Sequence, residues 1–206
     1  MKSKLTPLVA LLLTAGAFSL TSCGNSGTGK TDSTATTSNE PAKPAFADVC
    51  KDPSSLTLTI QKYKYQMSGD LQFAGAFDVK AATFSMENDS TAHIKFMNYT
   101  SSELVGDRKD NQIDINVDLH SKHGKKIVPG AYMADSEKDM WSQTTMTTSK
   151  GTVWFNWSMG MPDVGSVTLN FADGGNACGT FSLASDKPDS DMIGTVRLAG
   201  NFKVGQ

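Results

Sequence analysis

Ile113, Ile115, Val117 and Leu119 alternate strictly with Asp114, Asn116, Asp118 and His120. A period of two puts every apolar side chain on one face of an extended chain and every polar one on the other. The same period recurs at Leu56, Leu58 and Ile60, at Ile94 and Phe96, at Val153, Phe155 and Trp157, and at Val167, Leu169 and Phe171. Turn signals separate these runs: Ser68-Gly69, His123-Gly124, Pro129-Gly130, Ser149-Lys150-Gly151, Asp173-Gly174-Gly175-Asn176 and Asp186-Lys187-Pro188-Asp189. No capped, amphipathic helix of ordinary length is visible, and Asp135 to Trp141 fits one turn at most. Half-buried strands at this spacing predict an all-β domain, an antiparallel β-sandwich or barrel of about eight to ten strands.

A weak internal repeat supports the strand reading. Residues 69–79 and 194–204 share glycine, then alternating apolar residues, an inner Ala-Gly, and a closing Phe and Val. Leu71, Phe73, Phe77 and Val79 are expected to face the core, as are Val196, Leu198, Phe202 and Val204. Gly75 and Gly200 then fall on that inward face, where a missing side chain lets the strand coil or an aromatic lie across it. Two strands with similar roles account for the pattern as simply as a duplicated half does.

Length and composition narrow the function. The chain has 206 residues, 38% of them hydrophobic, which suits one domain with a packed core. Its 19 Lys+Arg stand against 21 Asp+Glu, which argues against a nucleic-acid partner, because that work needs a clustered excess of cations.

The amino-terminal stretch needs separate treatment. Lys2 and Lys4 precede an uncharged apolar run, Leu8 to Phe18, too short for a spanning helix of ~20 apolar residues. The run closes on Leu20-Thr21-Ser22-Cys23. This resembles the lipobox of bacterial lipoprotein precursors, over the first 23 residues only. The resemblance implies a diacylglyceryl group on the Cys23 thiol, cleavage after Ser22 and an acylated new amino terminus. Two or three acyl chains, at ~0.8 kcal/mol per buried methylene, anchor firmly. Gly24 follows the cysteine in place of the Asp that retains many such proteins at the inner membrane, which implies the outer membrane as address. Residues 1–22 are then a signal peptide, 23–44 the lipidated cysteine and a flexible tether of Gly, Ser, Thr, Asn and Pro, and 45–206 a single β domain.

The tether contains Gly24-Asn25-Ser26-Gly27-Thr28-Gly29-Lys30-Thr31, which matches the phosphate-loop pattern at every fixed position. That loop works only between a buried strand and a helix whose amides complete the cradle. Here Cys23 precedes it and poor helix formers follow, so no nucleotide is expected.

Once Cys23 is lipidated, Cys50 and Cys178 remain. An oxidising compartment makes them a disulfide pair, with a catalytic cysteine as the alternative. Few other residues suggest chemistry. His120 and His123 flank Ser121-Lys122 at a presumed hairpin tip with Lys125 and Lys126, which reads as a solvated basic turn and not a metal site. Asp114, Asn116 and Asp118 line the outward face of one strand, and Asp186, Asp189 and Asp191 share a loop. Neither set has the ligand spacing of a calcium loop. No metal, cofactor or catalytic residue is assigned.

The aromatic residues are the better lead to a ligand. Trp154 must point away from Val153 and Phe155, hence outward. Tyr63 and Tyr65 share one face of a strand between Lys62, Lys64 and Gln66. Such exposed platforms suit sugar rings or a protein partner. The chain is therefore expected to be a lipid-anchored binding or structural module of the cell envelope, held to the membrane through Cys23, with a glycan or an envelope protein as further partner. A carbohydrate-binding lipoprotein is the alternative. An envelope hydrolase would need a cleft with converging ionisable side chains.

Overall fold

The computed structural model describes residues 43–65, 67–155, 164–187 and 194–205. Residues 1–42, with Cys23 and Lys30, lie outside them, as do Trp157, Asp189 and Asp191. A short helix α1 (Phe46–Val49) precedes β1 (Ser55–Gln61), β2 (Phe73–Phe77), β3 (Ala81–Asn88) and β4 (Thr91–Met97). A single 3-10 turn (Ser101–Glu103) leads to β5 (Asp114–Ser121), β6 (Gly130–Met133), β7 (Met140–Thr148) and β8 (Gly151–Phe155). The chain finishes with β9 (Val164–Asp173), β10 (Asn176–Lys187) and β11 (Gly194–Val204). The all-β expectation is met. Of the stretch Asp135 to Trp141, Asp135 to Lys138 forms a non-helical turn closed by a Lys138 N–H to Asp135 carbonyl bond, and Met140 and Trp141 open β7.

The eleven strands among the described residues belong to one sheet, in the order β2-β1-β11-β10-β9-β6-β7-β5-β4-β3, with β8 alongside β7. Every pairing is antiparallel except one, where Met133 of β6 lies opposite Trp141 of β7 in parallel sense. The two strands at the ends of this order, β2 and β3, are consecutive in the chain. Only Asp78, Val79 and Lys80 separate them. Four Cα steps span at most about 15 Å, whereas ten strands laid flat would be roughly 43 Å wide. The sheet must therefore curl, and it forms a half-barrel rather than two separate layers.

The curl brings β4 across the interior onto β10 and β11. Phe96 meets Phe181 and Phe202 with ring centroids 5.7 Å apart in both cases, and Phe181 meets Phe202 at 4.9 Å. Around them the predicted inward residues of β1, β4, β5 and β11 form one continuous core. The apolar positions of the repeat face inward as its pattern requires, whereas Gly75 is exposed and a Cβ there would meet nothing within 4 Å. Leu71, Phe77, Val196, Leu198, Phe202 and Val204 are buried, and Phe73 and Val79 pack against the same core. Gly200 adopts φ +124°, and a Cβ there would fall 1.9 Å from the Ser55 carbonyl oxygen. Gly179 leaves room for the Phe202 ring, which a Cβ would approach to 2.8 Å.

One face assignment is corrected. Val167 and Leu169 are core residues, but Phe171 is not. The register of β9 on β10 shifts between Cys178 and Gly179, which face Phe171 and Leu169, so Asn170 is an extra residue. This β-bulge turns Phe171 to the other side of the sheet. There it packs with Phe46, Val49, Cys50 and Cys178.

Cys50 and Cys178 are bonded, with Cα atoms 5.7 Å apart and a separation of 128 positions in sequence. The pairing removes the alternative of a catalytic cysteine. Just downstream, Ser54 Oγ accepts from the Lys203 N–H at 2.9 Å and donates to the Lys203 carbonyl at 3.1 Å. The bond and this pair of contacts fix the start of the domain to β10 and β11. Closing so long a loop stabilises by up to ~5 kcal/mol in the chain-entropy model. Thiol titration of the folded protein should therefore find no free Cys50 or Cys178. Reduction, or the double substitution Cys50→Ser/Cys178→Ser, should lower the thermal midpoint while keeping a strand-dominated far-UV spectrum. An unchanged midpoint would contradict the staple.

Candidate functional site

The outward face of β3, β4, β5 and β7 carries a group of polar and aromatic side chains that contact one another. Alternation explains how it arises. On β5 the inward residues are Ile115, Val117 and Leu119, so Asn116, Asp118 and His120 point out. Register then sets their neighbours: His93 of β4 lies opposite Asp118, and Trp141 of β7 opposite His120.

His93 sits between two carboxylates. Its Nδ1 is 2.7 Å from Asp118 Oδ1 and its Nε2 is 3.0 Å from Glu87 Oε2. Glu87 reaches it because the β3–β4 register shifts between Met86 and Asn88, leaving Glu87 as the bulged residue. Bulges commonly re-aim a side chain in this way. The hydrogen bond to Asp118 is the chief reason the His93 pKa rises above its ordinary value, with Glu87 adding to it and partial burial opposing it. In its charged form the ring donates both N–H groups, one to each acid.

His120 behaves in the opposite sense. Its ring stacks on Trp141, with centroids 4.1 Å apart and planes 20° from parallel. Burial beneath these neighbours lowers its pKa, against a smaller opposing effect of Asp118. Two histidines on neighbouring strands are thus pushed apart, one toward the cation and one toward the neutral ring.

The aromatic platform expected from the sequence is not assembled. Tyr63 is 0% exposed and belongs to the core. The reason is local: Lys62 takes a left-handed conformation, φ 59°, immediately after β1 ends. That single residue breaks the alternation and turns Tyr63 inward, where its oxygen accepts the Trp154 N–H at 3.3 Å. Tyr65 is half-buried and packs against the same core. Trp154 does point outward as expected, but it is half-buried and its indole nitrogen is shielded, with no hydrogen-bond partner among the described residues. The aromatic that joins the polar face is Trp141. Its position opposite His120 could be read only from a strand pairing that the sequence does not display.

The predicted basic hairpin tip is also less basic than its sequence. Lys125 pairs with Asp139 at 3.1 Å, His123 lies 3.8 Å from the same carboxyl, and Lys126 pairs with Asp89 at 3.2 Å. The Lys125 ammonium holds the Asp139 carboxyl below its usual range.

At the other end of β5, Asp114 is buried and does structural work. Arg108 donates from Nη2 to Asp114 Oδ2 at 2.8 Å and to the Tyr99 hydroxyl oxygen at 3.0 Å. The Tyr99 hydroxyl donates to Asp114 Oδ1, and Lys95 Nζ lies 3.3 Å from Oδ2. Two cations and a phenol compensate one buried carboxylate, as a buried charge requires. Asp114 and Asp118 share a face, then, but not a role: one fixes a loop and the other fixes a histidine.

Among the described residues no three or more His, Cys, Asp or Glu side chains are arranged to hold a metal ion. No helix among them is long and apolar enough to cross a membrane. No family model, curated protein or solved structure matches the chain.

The two histidines give a direct test. Proton NMR titration should place the His93 pKa above about 6.5 and that of His120 below it. Asp118→Asn should lower the His93 value more than Glu87→Gln does. The sign for stability follows. The His93 contribution is full below about pH 6.5 and is lost as pH rises through its raised pKa. The His120 contribution is present above about pH 6.5 and is lost as pH falls. Equal pKa values for the two rings would contradict the assigned contacts.

Proposed function

We propose that the chain is a binding or structural module of a bacterial cell envelope, anchored by lipid on Cys23, with the outer membrane as its address. The observation that carries this reading is Leu20-Thr21-Ser22-Cys23 at the close of an apolar run too short to span a bilayer. The Cys50–Cys178 bond supports it, because structural disulfides persist in oxidising compartments and are rare in reducing ones. The domain start is stapled to β10, so pull on the tether is delivered to the sheet and not to a frayed end.

A second reading, a carbohydrate-binding lipoprotein, has one observation in its favour. The stacked His120–Trp141 pair stands on an outward face beside Asp118 and Gln143, its register partner. Aromatic rings with polar neighbours suit sugar rings, whose apolar faces stack while their hydroxyls hydrogen-bond.

Cells grown with labelled palmitate should yield labelled protein, and Cys23→Ala should abolish the label and leave the precursor uncleaved after Ser22. A Cys23→Ala protein that is processed and membrane-bound as before would overturn the anchor. Soluble peptidoglycan fragments should quench tryptophan fluorescence if the second reading holds, with the effect lost in Trp141→Ala. Unchanged fluorescence at saturating fragment would leave the binding or structural module with a non-glycan partner.

A further inference from the structure

The 98–113 segment between β4 and β5 is tied down by its own polar groups. Asn98 accepts the Ile113 N–H at 2.8 Å and donates to the Asn111 carbonyl at 2.7 Å. Thr100 and Glu103 form a reciprocal capping box, with the Thr100 N–H 2.6 Å from Glu103 Oε2. Gln112 donates to the Glu103 carbonyl at 3.1 Å, and Arg108 is held on Asp114. From this frame the crest of the loop pushes two adjacent apolar side chains into water: Leu104 is 41% exposed and Val105 is 82% exposed. A slack loop would turn such residues inward. A pinned loop that displays them is preorganised for something that covers them.

The position of the crest points to the occupant. Lys80 donates its N–H to the Met97 carbonyl at 2.8 Å, at the foot of this segment, and its ammonium pairs with Asp78 at 2.6 Å. Asp78, Val79 and Lys80 line a cavity of about 750 Å³ together with Ser54, Leu56 and Lys203. Lys203 in turn sets its ammonium 5.2 Å from the centre of the Phe46 ring on α1. Lys43, the first described residue, pairs with Asp173 at 2.9 Å beside the same helix. Through Lys80 and this cavity, the foot of the loop lies at the same end of the sheet as the first described residues. On the lipid-anchor reading, the tether reaches the domain from that end.

We propose that the Leu104–Val105 crest enters the headgroup region of the bilayer that carries the anchor. The proposal rests on the lipid-anchor reading. Charges near the crest have both signs, Lys80, Arg108 and Lys109 against Asp78, Glu103 and Asp107, so the contact is made by apolar insertion and not by attraction to anionic lipid. Two side chains alone would bind weakly. An anchor that holds the domain at the surface raises their effective concentration enough for the contact to form.

The full-length lipidated protein carrying Val105→Cys offers one free thiol, because Cys23 bears lipid and Cys50–Cys178 are bonded. It is labelled with an environment-sensitive nitrobenzoxadiazole and reconstituted into phosphatidylcholine–phosphatidylethanolamine vesicles. The expected result is a blue-shifted emission with a several-fold rise in intensity, equal at low and high salt and quenched by headgroup spin-labelled lipid. The same label at Lys125→Cys, at the opposite end of β5, should emit as in water. A water-like signal from Val105→Cys in protein that has taken up palmitate would overturn the crest contact and leave the anchor standing. Protein that takes up no palmitate would overturn the anchor, and a water-like signal on mixing that protein with the same vesicles would overturn the crest as well. A blue shift that needs no lipid and grows with protein concentration would assign the crest to a second copy and overturn the bilayer contact.

Discussion

Asp78, Val79 and Lys80 join the two strands that lie farthest apart in the sheet order. Much else in the domain follows from that short link. A sheet of this width cannot lie flat when its ends are tethered by so few residues, so it curls. Its inward residues then meet one another instead of a second layer. Phe96 reaches Phe181 and Phe202 only because of this curl. The glycines at 179 and 200 supply the close approaches that a tightly coiled sheet needs. The core is therefore common to the strands on both sides of the link, and its integrity depends on them together.

With the inward residues committed to packing, the outward side chains of β3, β4, β5 and β7 are left for other work. Neighbours on that face are chosen by register and not by sequence distance. Register puts His93 beside Asp118 and His120 beside Trp141. Two β-bulges refine the arrangement. The one at Glu87 adds a second acid to His93, and the one at Asn170 moves Phe171 off the core and onto the Cys50–Cys178 bond. The first shapes the candidate site. The second builds the small apolar cluster that secures α1 and the start of the domain.

Period-two alternation made the strands of the fold legible, and on β1, β4, β5 and β11 it also identified the core residues. It failed wherever one residue broke the period. Lys62 turns Tyr63 inward through a left-handed backbone that no local signal announces, since lysine has no special preference for it. Asn170 shifts Phe171 by one place, and nothing in its immediate sequence marks a bulge. The disulfide was legible because lipidation of Cys23, as the lipobox resemblance implies, leaves an even pair. The candidate site was not. His93, Glu87 and Asp118 come from three strands, and His120 meets Trp141 across a pairing that a long connection conceals. The single parallel contact between β6 and β7, which lets β7 lie between β5 and β6, was likewise beyond any local pattern.

The central claim is that one curled sheet encloses one core shared by strands on both sides of the short link. Phe96→Ala, followed by urea unfolding, tests it most directly, because Phe96 makes the contact across the interior and lies far in the sheet order from both of its ring partners. The account predicts one cooperative transition, displaced by about 3–5 kcal/mol, the cost of emptying a buried phenylalanine site, with the strand content of the folded protein unchanged. Two separate transitions, or a loss below about 1 kcal/mol, would show that the two sides of the sheet are stable without each other and would contradict it.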